Sequence, residues 1–149
     1  MSREHYQDVF RQIEVSGVYH LPAGDPTPLY EAAEANGLYV FNVDLSAARD
    51  KAQMLDTIAA ALAFPEWFGH NFDALFDCLV DLGWRPAEGY LVVLQHCDGI
   101  HGRAEGDFVA ALEVFEAAAA EWREQNIPFW CLVDMQADGI AWLPDMDID

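Results

Sequence analysis

Basic residues are scarce in this chain. Only 7 of its 149 residues are Lys or Arg, against 26 Asp and Glu, so the formal net charge is -19. A surface of this sign repels nucleic-acid phosphates and attracts basic proteins. The composition therefore argues against direct nucleic-acid binding and favours a cationic partner, while a general role in solubility explains it equally well.

Long apolar runs and a disulfide framework are also lacking. No run approaches the roughly 20 residues that cross a bilayer, and residues 1–12 have neither the apolar stretch nor the cleavage site of a secretory signal. The cysteines, Cys78, Cys97 and Cys131, are odd in number and lie in apolar surroundings, which favours buried free thiols in a reducing compartment. We therefore expect a cytoplasmic protein that does not contact a membrane.

The apolar pattern predicts a single α/β domain. Residues 90–94 and 129–133 are apolar throughout, as is typical of strands that are buried on both faces of a parallel sheet. Strands and helices alternate in the order β-α-α-β-α-β, which supplies the crossovers that parallel strands need. We predict at least three parallel strands, packed with helices. The predicted strands are 15–21, 38–45, 90–94, 129–133 and 140–143, and the predicted helices are 29–35, 48–63, 71–82 and 107–124.

The ends of the two central helices are predicted from capping residues. Ser46 is expected to cap the helix at 48–63, and Pro65 to end it. Asn71 is expected to cap the next helix, and Gly83 to close it.

Three aspartates share one face of the helix at 71–82. Asp73, Asp77 and Asp81 are spaced four residues apart, which places them in a row. Such a row costs a few tenths of a kcal/mol per pair, and the helix dipole offsets this only for Asp73. An ordinary solvated face and a surface for a cationic partner both fit the row. Phe72, Leu75, Leu79 and Leu82 are predicted to face the core, with Phe76 and Val80 at the border.

A loop of the pattern Pro-Glu-aromatic-aromatic-Gly at 65–69 precedes this helix, and the helix itself has the pattern Asn-x-Asp-Ala-Leu-aromatic-Asp-Cys-Leu at 71–79. Together they resemble the signature of the barstar family, the intracellular ribonuclease inhibitors of bacteria. The resemblance covers 38–134 and implies one barstar-like domain, with 1–37 as an N-terminal extension and 135–149 as a C-terminal tail. We expect the extension to add an edge strand and a helix, and a role in choosing the partner is equally open.

The resemblance implies a mechanism without catalysis, cofactor or metal. The loop and helix block the active site of a basic, barnase-like ribonuclease, in an immunity or antitoxin role. Asp77 takes the place of a substrate phosphate among the enzyme's arginines and histidine, with Asp73 and Asn71 beside it. Trp67 covers the catalytic histidine, and Phe76 is an interface aromatic. Gly69 is expected to be needed for the turn of the loop. The expected partner-binding residues are Trp67, Gly69, His70, Asn71, Asp73, Phe76, Asp77, Val80 and Asp81.

Some residues depart from the family's type member. Val80 stands for a threonine, His70 for a glutamate, and Ala117 for a glutamate of the third helix. Glu116, one residue away, is expected to point elsewhere. Asp81 stands for a glycine and could compensate for the lost acid. These differences favour a different ribonuclease, or a related toxin, as the target.

Other functions remain as alternatives. The same scaffold could bind a different basic protein or toxin. Cys97 and His101 follow a predicted strand and suggest zinc or a nucleophile, but no second cysteine pair or partner base accompanies them, so a turn is favoured. His70, Asp73 and Asp77 lack the fixed spacing of metal ligands. Trp122, Trp130 and Trp142 are expected in the core, and the free protein is expected to be a monomer.

Overall fold

Four parallel strands form one sheet in the computed structural model, which describes residues 3–66, 68–135 and 143–146. The strands are β1 (Val18–His20), β2 (Leu38–Asp44), β3 (Gly89–Gln95) and β4 (Phe129–Val133). They lie in the order β1-β4-β3-β2 and all neighbouring pairs are parallel. The predicted α/β class with at least three parallel strands is confirmed. The central strands β3 and β4 are buried almost throughout, because helices cover both faces of the sheet.

The helices divide between the two faces of the sheet. One face carries a core of side chains from α1, α2 and the sheet, and the other carries a larger core from α3, α4, α6 and the sheet. None of the described helices is long and apolar enough to cross a membrane. The helices are α1 (Arg3–Phe10), a 3-10 turn (Ile13–Val15), α2 (Thr27–Ala35), α3 (Lys51–Ala61), α4 (Phe72–Asp81), α5 (Asp98–Arg103) and α6 (Glu105–Glu124).

The N-terminal extension contributes a complete layer. β1 pairs with β4 as an edge strand, as expected. Both α1 and α2 pack on the same face, where the expectation had one helix, and they surround the buried Trp130 with Phe10 and Leu29. Residues 3–37 therefore cover a face of the sheet that would otherwise expose apolar side chains.

The predicted ends of the helix after β2 are wrong. Asp50 caps α3 in place of Ser46, and its side chain accepts a hydrogen bond from the Gln53 N–H at 2.9 Å. The helix ends at Ala61, before Pro65 is reached. Ser46 instead lies in the turn that leads from β2 to α3.

Two further predictions of local structure need correction. α4 begins after the cap Asn71, as predicted, but its left-handed C-terminal residue is Leu82 (φ 47°) and not Gly83. The Leu82 side chain is fully buried, and this burial offsets the cost of a left-handed backbone. Residues 98–103 form the helix α5 where a turn was expected. The predicted strand at 140–143 lies outside the described residues except for Leu143, which is buried.

Candidate partner-binding site

Helix α4 presents the aspartate row to solvent. Asp73, Asp77 and Asp81 are all exposed, while Leu75 and Leu79 on the opposite side are fully buried. The predicted arrangement of the helix faces is therefore present. Phe76 and Val80 are half-buried at the border, and Phe72 is half-buried rather than fully in the core. Trp67 lies outside the described residues.

The carboxylates of Asp73 and Asp77 have no partner among the described residues, whether a cation or a hydrogen-bond donor. Asp81 differs, because its Oδ1 accepts a hydrogen bond from the Gly83 N–H at 3.2 Å. Two uncompensated negative charges thus lie next to each other on one helical face. A cationic partner would relieve their mutual repulsion.

Asn71 joins the loop to the helix. Its Oδ1 accepts from the Ala74 N–H at 2.7 Å, and its Nδ2 donates to the Gly69 carbonyl at 3.3 Å. The side chain is therefore a cap and a brace for the loop at the same time.

Replacing Asn71 with alanine should lower the free energy of unfolding by about 0.5–2 kcal/mol, because the cap is lost. Urea denaturation measures this change. Asn71→Ser retains a capping oxygen and should lose much less. Equal losses in the two variants would show that the cap is not what stabilises the junction.

The expectation that Gly69 makes the turn is wrong. Gly69 has no positive φ, and a methyl group there would lie 3.4 Å from Asn71 Nδ2, an ordinary contact. The left-handed residue is His70, with φ 54°. Its Nδ1 lies 2.8 Å from Asp56 Oδ1 on α3, and its ring centroid lies 4.9 Å from that of the buried Phe68. Contacts with α3 and the core hold His70 in this conformation.

Helix α3 also borders the site. The sequence patterns did not predict this contribution. Besides Asp56, it provides Lys51, whose Nζ lies 4.5 Å from the centroid of the Phe72 ring. Both contacts join residues that are distant in the chain, so no spacing pattern could have revealed them.

The three cysteines are free and buried, as predicted. The Cys97 Sγ lies 3.2 Å from the Leu94 carbonyl, and burial raises the pKa of its thiol. A thiol held protonated in this way is a poor nucleophile and a poor metal ligand. His101 Nε2 lies 3.2 Å from Glu105 Oε2 of α6. The described residues contain no cluster suited to a metal ion.

Cys78, on the buried side of α4, gives a pH-dependent prediction. Burial, with smaller contributions from Asp77 and Asp81, raises the pKa of its thiol from the ordinary 9.0 to about 11. The folded protein thus holds this proton more tightly than the unfolded chain does. Its contribution to stability is complete below about pH 9 and is lost as the pH rises toward 11. Urea denaturation between pH 7 and 11 should show this decline, and Cys78→Ala should show a smaller one. An identical decline in both proteins would contradict the assignment.

On helix α6, Ala117 stands where the family's type member has a glutamate, and the neighbouring acid is Glu116. Ala117 is exposed, and Glu116 points elsewhere, as expected. The direction it takes is toward the sheet edge at β1. Glu116 Oε2 accepts from the Val18 N–H at 3.0 Å, and its Oε1 lies 3.7 Å from Arg123 Nη1. This carboxylate is therefore engaged within the protein.

The tryptophans outside the loop are core residues where they are described. Trp130 is fully buried and Trp122 nearly so. The Trp122 indole N–H donates to the Leu79 carbonyl at 2.9 Å, which ties α6 to α4. This hydrogen bond helps to hold α4 against the core. Trp142 lies outside the described residues.

Fold and site together define a small α/β protein in which one packed helix displays a row of exposed carboxylates. The family model described as Barstar (barnase inhibitor) matches residues 38–134, about two thirds of the chain. This protein belongs to the barstar family, a family of barnase inhibitors. The matched region begins with β2, includes the loop and α4, and ends just after β4. A search of curated proteins found no match to the chain.

Proposed function

We propose that this protein inhibits a basic, barnase-like ribonuclease by placing the loop before α4 and the exposed face of α4 in the enzyme's active site. The observation that carries the proposal is a pair of exposed carboxylates, Asp73 and Asp77, on a helix within the barstar-family region, with no partner for either among residues 3–66, 68–135 and 143–146. A ribonuclease active site binds phosphate with cationic side chains, and a carboxylate forms strong charge-assisted bonds with the same groups. Asp77 is assigned the central position, with Asn71, Asp73 and Phe76 around it.

The fixed position of α4 on the core supports this role. The buried side of α4 is fixed by Leu75 and Leu79, and its N-terminus is fixed by Asn71. A helix that is ordered before binding has little conformational entropy left to lose in the complex. Acting in the cytoplasm of a bacterium that makes the enzyme, such an inhibitor would serve as an immunity protein.

The direct test is a ribonuclease assay. The protein is titrated against a barnase-like enzyme and against any nuclease encoded beside its gene. Stoichiometric loss of activity is the expected result, with much weaker inhibition by Asp77→Ala. If neither enzyme is inhibited, the ribonuclease proposal is wrong.

Association should depend on salt. The net charge of -19 attracts a basic enzyme over distances that salt screens, since the Debye length falls from about 10 Å at 0.1 M to about 3 Å at 1 M. We expect the association rate to fall about tenfold or more over this range, with a smaller change in the dissociation rate. Stopped-flow fluorescence measures the association rate. A rate independent of salt would contradict electrostatic steering.

A second candidate is a basic partner that is not a ribonuclease. The pairing of His70 with Asp56 and the engagement of Glu116 at the sheet edge alter the rim of the site and favour a changed partner. Pull-down with the unmodified protein and with Asp77→Ala distinguishes the two candidates. A basic protein without nuclease activity that is retained only by the unmodified protein would support this second function.

A further inference from the structure

The two edges of the sheet are protected differently. At the β1 edge, the outward Val18 N–H donates to Glu116 Oε2 at 3.0 Å, and the outward His20 N–H donates to the Pro144 carbonyl at 2.8 Å. β1 is also only three residues long. A further strand therefore has few free backbone groups to pair with at this edge.

Among the residues that the structure describes, none covers the β2 edge. β2 is seven residues long and pairs with β3 along its whole length. The Leu45 N–H donates to the Gln95 carbonyl at 2.9 Å, so odd-numbered residues of β2 turn their backbone groups toward β3 and even-numbered residues turn theirs outward. No hydrogen bond from the described part of the chain reaches these outward groups. They belong to Leu38, Val40, Asn42 and Asp44.

The side chains along β2 leave this edge accessible. Tyr39 is 39% exposed, and it is the one exposed large hydrophobic side chain among the described residues. Its ring centroid lies 4.7 Å from that of the buried Phe41, so it offers an apolar contact beside the edge. β2 contains no lysine or proline, the residues with which proteins commonly block an edge. On the other face, Tyr30 of α2 donates to Asn42 Oδ1 at 2.9 Å, which holds α2 beside the strand.

The acidic residues around β2 favour a partner segment with basic side chains. Glu31 and Glu34 are exposed on α2, and Asp44 is exposed on the strand itself. The bases that follow in sequence, Arg49 and Lys51, lie beyond the end of β2. A second copy would bring the same acids and a net charge of -19, so like charges oppose pairing between copies. A strand with basic side chains has complementary charge.

We propose that an extended segment of a partner protein, with alternating basic and apolar side chains, adds to the sheet as a fifth strand along β2. Backbone hydrogen bonds to Val40 and Asn42 supply affinity, and the exposed Tyr39 and the surrounding acids supply specificity. This surface is separate from the aspartate row of α4 and does not depend on ribonuclease inhibition.

The test uses the unmodified protein and two blocked eight-residue peptides, one alternating lysine with valine and the other glutamate with valine. Amide hydrogen exchange is followed by NMR. The lysine peptide should slow exchange of the Val40 and Asn42 amides about tenfold or more, because they become hydrogen-bonded. The Val43 amide, already bonded to β3, should not change, and the glutamate peptide should have no effect. Unchanged exchange at Val40 and Asn42 with the lysine peptide would overturn the proposal.

Three variants locate the binding. Val40→Pro removes an outward N–H without removing a bond to β3, so it should weaken peptide binding about tenfold or more, while Val40→Thr should bind normally. Asp77→Ala should also bind normally. Loss of binding in Asp77→Ala would place the peptide on α4 and overturn the proposal. Protection of Val40 that rises with protein concentration, together with a dimer in sedimentation, would assign the edge to a second copy and would also overturn it. The exchange measurement on the unmodified protein remains decisive if Val40→Pro fails to fold.

Discussion

Asp77→Ala is expected to weaken the complex with the target ribonuclease by about 2–5 kcal/mol, or roughly 30-fold to several thousandfold in Kd. The carboxylate is exposed and has no partner in the described part of the chain, so its removal breaks none of the bonds seen there. In the complex it would lie among the enzyme's cations, and its loss would leave them buried without a counter-charge. Most of the effect should therefore appear in the dissociation rate. Surface plasmon resonance or competition in the ribonuclease assay measures it.

Asp81→Ala is the matched control on the same helical face. The Asp81 carboxylate already accepts a hydrogen bond from the Gly83 N–H, and it lies a full turn further from the loop. We expect its removal to weaken binding by no more than about 1 kcal/mol, as is usual for rim charges. Both variants should unfold at nearly the same urea concentration as the parent. Equal losses of affinity would refute the central position of Asp77.

The largest effect on stability is expected from Trp130→Ala. Trp130 is fully buried on β4, and its ring centroid lies 5.4 Å from that of Phe10 of α1. Truncation leaves a cavity between the sheet and the N-terminal layer and should lower the free energy of unfolding by about 3–5 kcal/mol. Urea denaturation followed by far-UV circular dichroism measures the loss.

Trp130→Phe is the informative control. The indole Nε1 is buried and has no hydrogen-bond partner among the described residues. Phenylalanine lacks this polar atom, so the substitution removes an unsatisfied group while keeping an aromatic ring in the core. We expect Trp130→Phe to lose much less stability than Trp130→Ala. If the two variants were equally destabilised, a hidden partner for the indole would be the better explanation.

Local signals account for the parts of the site that the sequence predicted. The Asn71 cap depends on residues within one helical turn, and the exposure of Asp73 and Asp77 depends on the helical repeat. Both signals survive in any helix that packs on one side. The apolar strands β3 and β4 were recognised for a similar reason, because burial on both faces leaves an unbroken apolar run.

The errors in the predicted local structure have three causes: competing capping residues, a helix too short to show a pattern, and contacts between distant residues. Ser46 and Asp50 are both good capping residues, and only the path of the chain after β2 decides between them. α5 has six residues, two of them glycine, which is too short for a periodic pattern. The left-handed conformation of His70 depends on Asp56 and Phe68, contacts that exist only once α3 and the loop pack together.

The placement of helices on both faces of the sheet has a practical use in orienting the protein. α1 and α4 lie on opposite faces of the sheet, and Asp8 of α1 is exposed. All three native thiols are buried, so a cysteine introduced by Asp8→Cys would be the one accessible thiol in the folded protein. A dye or a surface tether attached there points away from α4. Immobilised this way, every molecule presents its acidic helix to the solution in the same orientation.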